Sequence, residues 1–531
     1  MSLSAENSLI LAGLLAAAAT LIALADVVRI PYPILLVLGG LTLGFLPGMP
    51  HIELPPELVL VAVLPPLLYG TAFFTPLREF RANAVRISTL AVGLVLATMV
   101  VVAAVAHAMV PGLGWPSAFV LGAIVSPTDP TAATSIAERL GLPRRLAAVI
   151  DGESLVNDGT ALVAYKYAVA AVVAGTFSLA HASASFLLNV IGGVAVGLAV
   201  GYVIRHARRR LDNPPVELTI SIVSGYLAFL PAAALGVSGV LAAVTVGIYM
   251  GWHTAELTNA STRLQGTGVW EVLFFALNAV LFGLVGLQLP AILDGLSAIS
   301  TADLIRYGAV VTATVTAVRL VWVLGSIYLP RLVHGRLHGR DQLRSWRAGL
   351  IVTWSGMRGA VSLAAALSLP LTTDGGEPFQ RRQLLIFLTF AVILGTLVVQ
   401  GLTLPGMIRL LGLEDDGVAE REEAKARIHA AESALERLDE LLDEEWVRDD
   451  TAERMRGLYN FRRQRFSARI DDDVDDGGSE ARSVDYQRLR HELLEAERTA
   501  VLDLRRRGAI DDDVLRRVVR DIDLEDVRLD A

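Results

Sequence analysis

The stretch DGESLVNDG, Asp151 to Gly159, places three carboxylates at the head of a tract that runs on through TALVAY. If this tract crosses a bilayer as a helix, Arg145 sits among the headgroups and Asp158 lies about 20 Å further along, at about 1.5 Å per residue. Asp158 then falls near mid-membrane, where an ionisable group is costly and is usually functional. Ser154 and Asp158, four apart, share one face, while Glu153 and Asn157 share another about 100° away. One helix therefore presents two polar stripes.

The preceding apolar run carries SPTDPT, Ser126 to Thr131. Pro127 and Pro130 lack donors and disfavour helix before them, so this span should break into two half-helices. Irregular backbone at this depth survives only when it is buried in protein or lines a cavity. Far downstream, TWSGMRGAVS, Thr353 to Ser362, sets Gly356 and Gly359 around Met357 and Arg358 and weakens a second helix. Arg319 stands mid-span between these tracts, roughly 18–20 Å from both Arg306 and Arg331.

The whole chain agrees with a membrane reading. Of its 531 residues 53% are hydrophobic and 19% charged, and the net charge of −8 averages two unlike parts. Apolar runs alternate with short polar breaks to about Leu411; from Glu414 the chain is densely charged. We expect a transmembrane domain over 1–411 and a helical cytoplasmic domain over 412–531. Runs of about 20 apolar residues start near residues 7, 31, 56, 86, 116, 146, 183, 216, 236, 269, 303, 347 and 383. The expected fold is all-α and polytopic, with about 13 spans in two inverted six-helix repeats, helices 5 and 12 broken. The first run, Leu9 to Val27, lacks a basic lead-in and a small-residue cleavage site, and reads as a span rather than a signal peptide.

Loop arginines set the orientation. Arg29, the 78–86 and 139–145 arginines, Arg205, Arg208, Arg209, Arg210, Arg263 and the 331–347 arginines fall on one side, against Arg306, Arg381 and Arg382 on the other. The N-terminus is expected outside, the tail in the cytoplasm and the protein in the plasma membrane. Lys166, two turns outward from Asp158, is expected to snorkel.

Arginine stays charged in a protein, so Arg319 and Arg358 need anions. We expect Glu153 to pair with Arg319, and Asp129 to balance Arg358 near the helix breaks. Asp158 is left without a dedicated arginine. A carboxylate stripped of water and counter-charge holds its charge poorly, and takes up a proton or a hard cation. Asp129 reads equally as an ion ligand or as neutralisation of half-helix ends, and Arg358 as compensation of helix C-termini.

These tracts, together with VWEVLFFALNAVLFGLVGLQLP (Val269 to Pro290) and WSGMRGAVSLAAALSLP, resemble the monovalent cation:proton antiporter-1 family, the sodium/proton exchangers, over roughly residues 7 to 411. The resemblance implies a homodimer with a dimerisation part and a mobile six-helix core. It implies an Asn–Asp pair of electroneutral exchangers at Asn157 and Asp158. It places cation ligation on Asp158, Ser154, Thr128 and Asp129, with Glu153 and Arg319 as a structural pair. The ion is left open among sodium, lithium and potassium.

Other readings have less behind them. A passive cation channel needs a continuous wet path, which two broken helices neither supply nor forbid. An intramembrane enzyme is disfavoured by the lack of HExxH, GxSxG or an intramembrane His–acid cluster, and a primary pump by the lack of a nucleotide-binding loop. No cysteine is present, so thiolate chemistry and cysteine metal sites are excluded. No cofactor beyond the transported cation is expected, and no nucleic-acid partner. Pro65–Pro66 reads as a kink, His107 as an interfacial residue, and Trp115, Trp270 and Trp322 as interface or packing aromatics. In the tail, Leu435, Leu438 and Leu442, then Leu489, Leu493 and Leu494, mark two helices. DDDVDDGGSE between them fails the EF-hand pattern at Asp476 and reads as an acidic linker.

Overall fold

A computed structural model describes residues 20–21, 24–25, 27–28, 30–46, 58–175, 179–297, 299–334, 345–413, 417–467 and 477–530. Most of the expected first span, Arg29, Arg336, Arg340, Arg344 and the Asp471–Asp476 run lie outside them. The chain divides into two compact units, Met1–Glu414 and Asp415–Ala531.

Helices joined by short irregular segments make up the described residues of the first unit, with one isolated bridge between Thr372 and Pro378. Its α-helices of eight residues or more are α1 (Tyr32–Gly44), α2 (Leu64–Phe74), α3 (Val95–Met109), α4 (Trp115–Val125), α5 (Thr131–Arg139), α6 (Arg144–Ala174), α7 (Leu179–Arg208) and α8 (Pro214–Ala234). There follow α9 (Gly239–Leu257), α10 (Ala260–Leu287), α11 (Thr301–His334), α12 (Trp346–Trp354), α13 (Ala360–Leu367), α14 (Arg382–Gly395) and α15 (Gly401–Leu411). Six described segments are long and apolar enough to cross a membrane, among them Ala84–Met109, which contains α3, and Arg382–Leu411, which joins α14 to α15. The 31-residue α6 has the length but carries Arg144, Arg145, Asp151, Glu153, Asp158 and Lys166, too many charges for a lipid-facing helix. At 11 residues, α4 reaches only about 17 Å, roughly half the hydrocarbon thickness.

Local chemistry sets the ends. Gly175 at φ 68° stops α6, and Gly412 at φ 57° stops α15. Ser345 caps α12 by accepting from Ala348 N, and Asn259 caps α10 by accepting from Thr262 N. That second cap starts α10 at Ala260, nine residues before the apolar run. Arg263, expected in a loop, therefore lies in the first turns of a helix. Pro65 and Pro66 fall in the first turn of α2, directly after a π-wound turn over Leu58–Val63, so the expected kink is a change of helix winding where missing donors cost least.

Two groups of helices form. In one, α9 packs on α2, α7 and α8, and α10 packs on α1. The α1–α10 approach is close: a Cβ on Gly40 or on Gly286 would run into the backbone of the other helix. In the other group, α4 packs on α3 and α6, α11 on α3, α12 and α14, and α13 on α14 and α4. This second group holds most of the largest apolar cluster, and it also contains both broken helices.

The second unit comprises α16 (Val418–Leu441), α17 (Asp449–Ser467), α18 (Gly477–Arg506) and α19 (Asp512–Asp530). Arg456 ties α17 to Asp439 of α16 at 2.6 Å, and Arg498 ties α18 to Asp523 of α19 at 2.8 Å. Its buried apolar residues are Ala424, Ala431, Ala452, Phe466, Leu494 and Ile522. Of the expected leucine stripes, Leu494 is buried, Leu435 and Leu438 are half-buried, and Leu442, Leu489 and Leu493 are exposed.

Candidate functional site

The two interrupted helices cross and hold each other at their breaks. The chain leaves helical form from Ser126 to Pro130 and again near Ser355–Gly359. Asp129 N donates to Met357 O at 2.8 Å, and Arg358 Nε donates to Val125 O at 3.0 Å. Each break thus supplies a partner that the other break has freed.

The half-helix ends are electrically balanced. A helix C-terminus carries partial negative charge and an N-terminus partial positive charge. Arg358 caps the C-terminal end of α4 through Val125 O, and its Nη1 also donates to Gly356 O. Arg319 donates from Nε to Val352 O and Thr353 O, and from Nη2 to Val352 O, closing the end of α12. The N-terminal ends fall to Asp129. Its Oδ1 accepts from Thr131 N at 2.9 Å at the start of α5, and its carboxylate lies against Gly359 at the start of α13.

Glu153 and Arg319 form a two-pronged ion pair, Nη2 to Oε2 at 2.8 Å and Nη1 to Oε1, each residue 1% exposed. The pair expected from charge balance is present. The expected pairing of Asp129 with Arg358 is not: Arg358 spends its side-chain donors on backbone carbonyls and Asp129 serves helix N-termini. Opposite charge was needed at both places, but the four helix ends supply it locally.

Thr128 is the hub between break and helix. Its hydroxyl donates to Glu153 Oε1 at 3.3 Å and accepts from Asn157 Nδ2 at 2.8 Å, while its carbonyl accepts from Ser154 Oγ at 2.8 Å. Asn157 Oδ1 is buried without a hydrogen-bond partner among the described residues.

The two stripes of α6 separate as their spacing requires. Glu153 and Asn157 are taken up by Arg319 and Thr128. Asp151, Ser154 and Asp158 line a cavity of about 500 Å³, together with Thr128 and Asp129. Asp158 is 7% exposed and forms no ion pair among the described residues. The cavity wall therefore gathers hydroxyl, carbonyl and carboxylate oxygens, the donor set that suits a hard cation.

Some members escaped the sequence reading. Asn278, within the quoted VLFFALNAVLF tract, lines the same cavity; a lone amide in an apolar run was the available signal. Thr396 Oγ1 accepts from Arg358 N at 3.1 Å and steadies the second break. Nothing in its local sequence marks it. Of the aromatics, Trp270 is buried and Trp322 donates to Thr89 O, packing roles as expected.

A family model described as sodium/hydrogen exchanger, transmembrane, matches residues 13–410. The chain is 36% identical over 507 residues to an uncharacterized Na(+)/H(+) exchanger of Mycobacterium tuberculosis, covering 94% of this chain and 92% of that protein. It is 35% identical over 413 residues to a sodium, potassium, lithium and rubidium/H(+) antiporter of Bacillus subtilis, covering 73% and 60%. The fold is similar to that of the sodium proton antiporter from Methanocaldococcus jannaschii, with a TM-score of 0.58 at 19% identity over 76% of this chain and 98% of that one.

Proposed function

The chain belongs to the sodium/hydrogen exchanger family, and from that premise we propose that it exchanges protons for sodium, or for lithium or potassium, across the plasma membrane. The observation that carries this is Asp158, a buried carboxylate with no arginine partner among the described residues, on the wall of an oxygen-lined cavity. Every other buried charge at the crossing has a partner or a helix end. Asp158 alone is left to trade one positive guest for another.

The mechanism follows from competition. A proton on Asp158 removes the charge that holds the cation; a cation on Asp158, with Ser154, Thr128 and Asp129 supplying further oxygens, excludes the proton. One carboxylate exchanging one proton for one monovalent cation moves no net charge, so exchange is electroneutral. Asn157 fixes Thr128 through its Nδ2. Glu153, Arg319 and Arg358 hold the crossing in shape. Alternating access would move the α3–α6 and α11–α15 group against the α1, α2 and α7–α10 group, whose partner in a homodimer is a second copy.

We place this core in thirteen spans as two inverted six-helix repeats, N-terminus outside and tail in the cytoplasm. The clustering of arginine on one side of the spans supports that orientation. Regulation of cytoplasmic pH is the corresponding role. In everted vesicles, Asp158→Asn should abolish cation-dependent proton movement while leaving the protein in the membrane. Exchange near the wild-type rate in that variant would sink the assignment.

A further inference from the structure

Away from the crossing, a second cavity of about 480 Å³ opens between the ends of α2, α7 and α9 and the starts of α8 and α10. Arg208 and Arg263 line it, with no acidic residue among the described lining. Arg208 is 2% exposed and makes one side-chain bond, Nη2 to Glu217 Oε2 at 3.2 Å; its buried Nε and Nη1 have no partner among the described residues. Glu217 is spent, since Oε1 also accepts from Thr262 Oγ1 at 3.5 Å. A pair serving only as a staple would satisfy its guanidinium, as the Glu153–Arg319 pair does. Buried donors left open are expensive and call for an acceptor.

From this we infer that the cavity is a binding site for the phosphate of an anionic phospholipid headgroup. A guanidinium with spare N–H groups matches a phosphate oxyanion in charge and shape. The lining also carries hydroxyl side chains, among them Ser221, Thr254 and Thr267, which can serve phosphate and glycerol oxygens, and the aromatics Phe73, Phe74, Trp252 and Trp270, which suit an acyl stem better than they suit a hydrated free ion. Trp252 is exposed and carries Arg81 over its ring at 5.8 Å, an aromatic and a cation at headgroup level. The arginine-rich side of the spans is the one that meets the anionic cytoplasmic leaflet.

The test uses the full-length protein in neutral detergent, with thermal midpoint and native mass spectrometry as readouts. Phosphatidylglycerol should bind saturably and raise the midpoint. Arg208→Gln with Glu217→Gln removes both charges together and should weaken that binding about tenfold, the loss of roughly one charge-assisted hydrogen bond. Arg263→Gln changes an exposed side chain, threatens folding least, and should weaken it as well. Phosphatidylglycerol binding unchanged in both variants overturns the inference. So does phosphatidylcholine binding equally well, or inorganic phosphate at the same concentration giving the same Arg208-dependent shift.

Discussion

Substituting Gly359 by alanine tests the helix crossing at its tightest point. An ideal Cβ there would overlap the Asp129 carboxylate, with Asp129 Cγ at 2.5 Å and Cβ at 2.6 Å as the other nearest atoms. The backbone itself is no obstacle, since Gly359 is extended at φ −128°. The cost therefore falls on Asp129. Overlap in a packed interior costs about 1–3 kcal/mol. Swinging the carboxylate aside forfeits the bond from Thr131 N, a cap worth about 1 kcal/mol. The expected loss is about 2–4 kcal/mol, measured by denaturant unfolding in detergent. The partner variant is Asp129→Gly, because alanine would leave the two Cβ atoms too close. In the Asp129→Gly background, Gly359→Ala should cost about 1 kcal/mol or less, giving a coupling of about 2 kcal/mol. An equal penalty in both backgrounds would refute the claim that Gly359 exists to seat Asp129. Transport should fall with stability in the single variant, since the same displacement opens the cavity wall.

Glu153→Gln or Arg319→Gln alone should cost about 3–5 kcal/mol by leaving one buried charge, and the double variant should cost less than either in the same unfolding assay. Thr128→Val keeps the shape but removes the hydroxyl that serves Glu153 and Asn157; vesicle flux should show a raised KM for the cation and a stability loss of about 1–3 kcal/mol. In the tail, Arg498 beside Asp526 at 3.2 Å holds that carboxyl below its usual range. A depressed folded-state value stabilises above the unfolded one, about pH 4. The contact should therefore be intact near neutrality and lost as pH falls below that point, and Arg498→Gln should flatten the acid side of the circular dichroism melting profile.

The sequence by itself determined the helical membrane class, the change of character near Leu411–Glu414, both helix breaks and the Glu153–Arg319 pair. Each follows from local rules: proline and glycine interrupt helices, apolar length sets spans, and a buried arginine demands an anion. The separation of Ser154 and Asp158 from Glu153 and Asn157 was legible for the same reason, because helical spacing alone assigns faces. Where it went wrong was the pairing of Asp129 with Arg358, because charge balance by itself does not separate that pairing from neutralisation of the half-helix ends. Only the crossing of α4–α5 with α12–α13 decided between them, because the competing partners are backbone dipoles that no residue letter records. The hub at Thr128, the support from Thr396 and the open donors of Arg208 likewise depend on groups far apart in the chain meeting in space, and that meeting is a property of the packed fold.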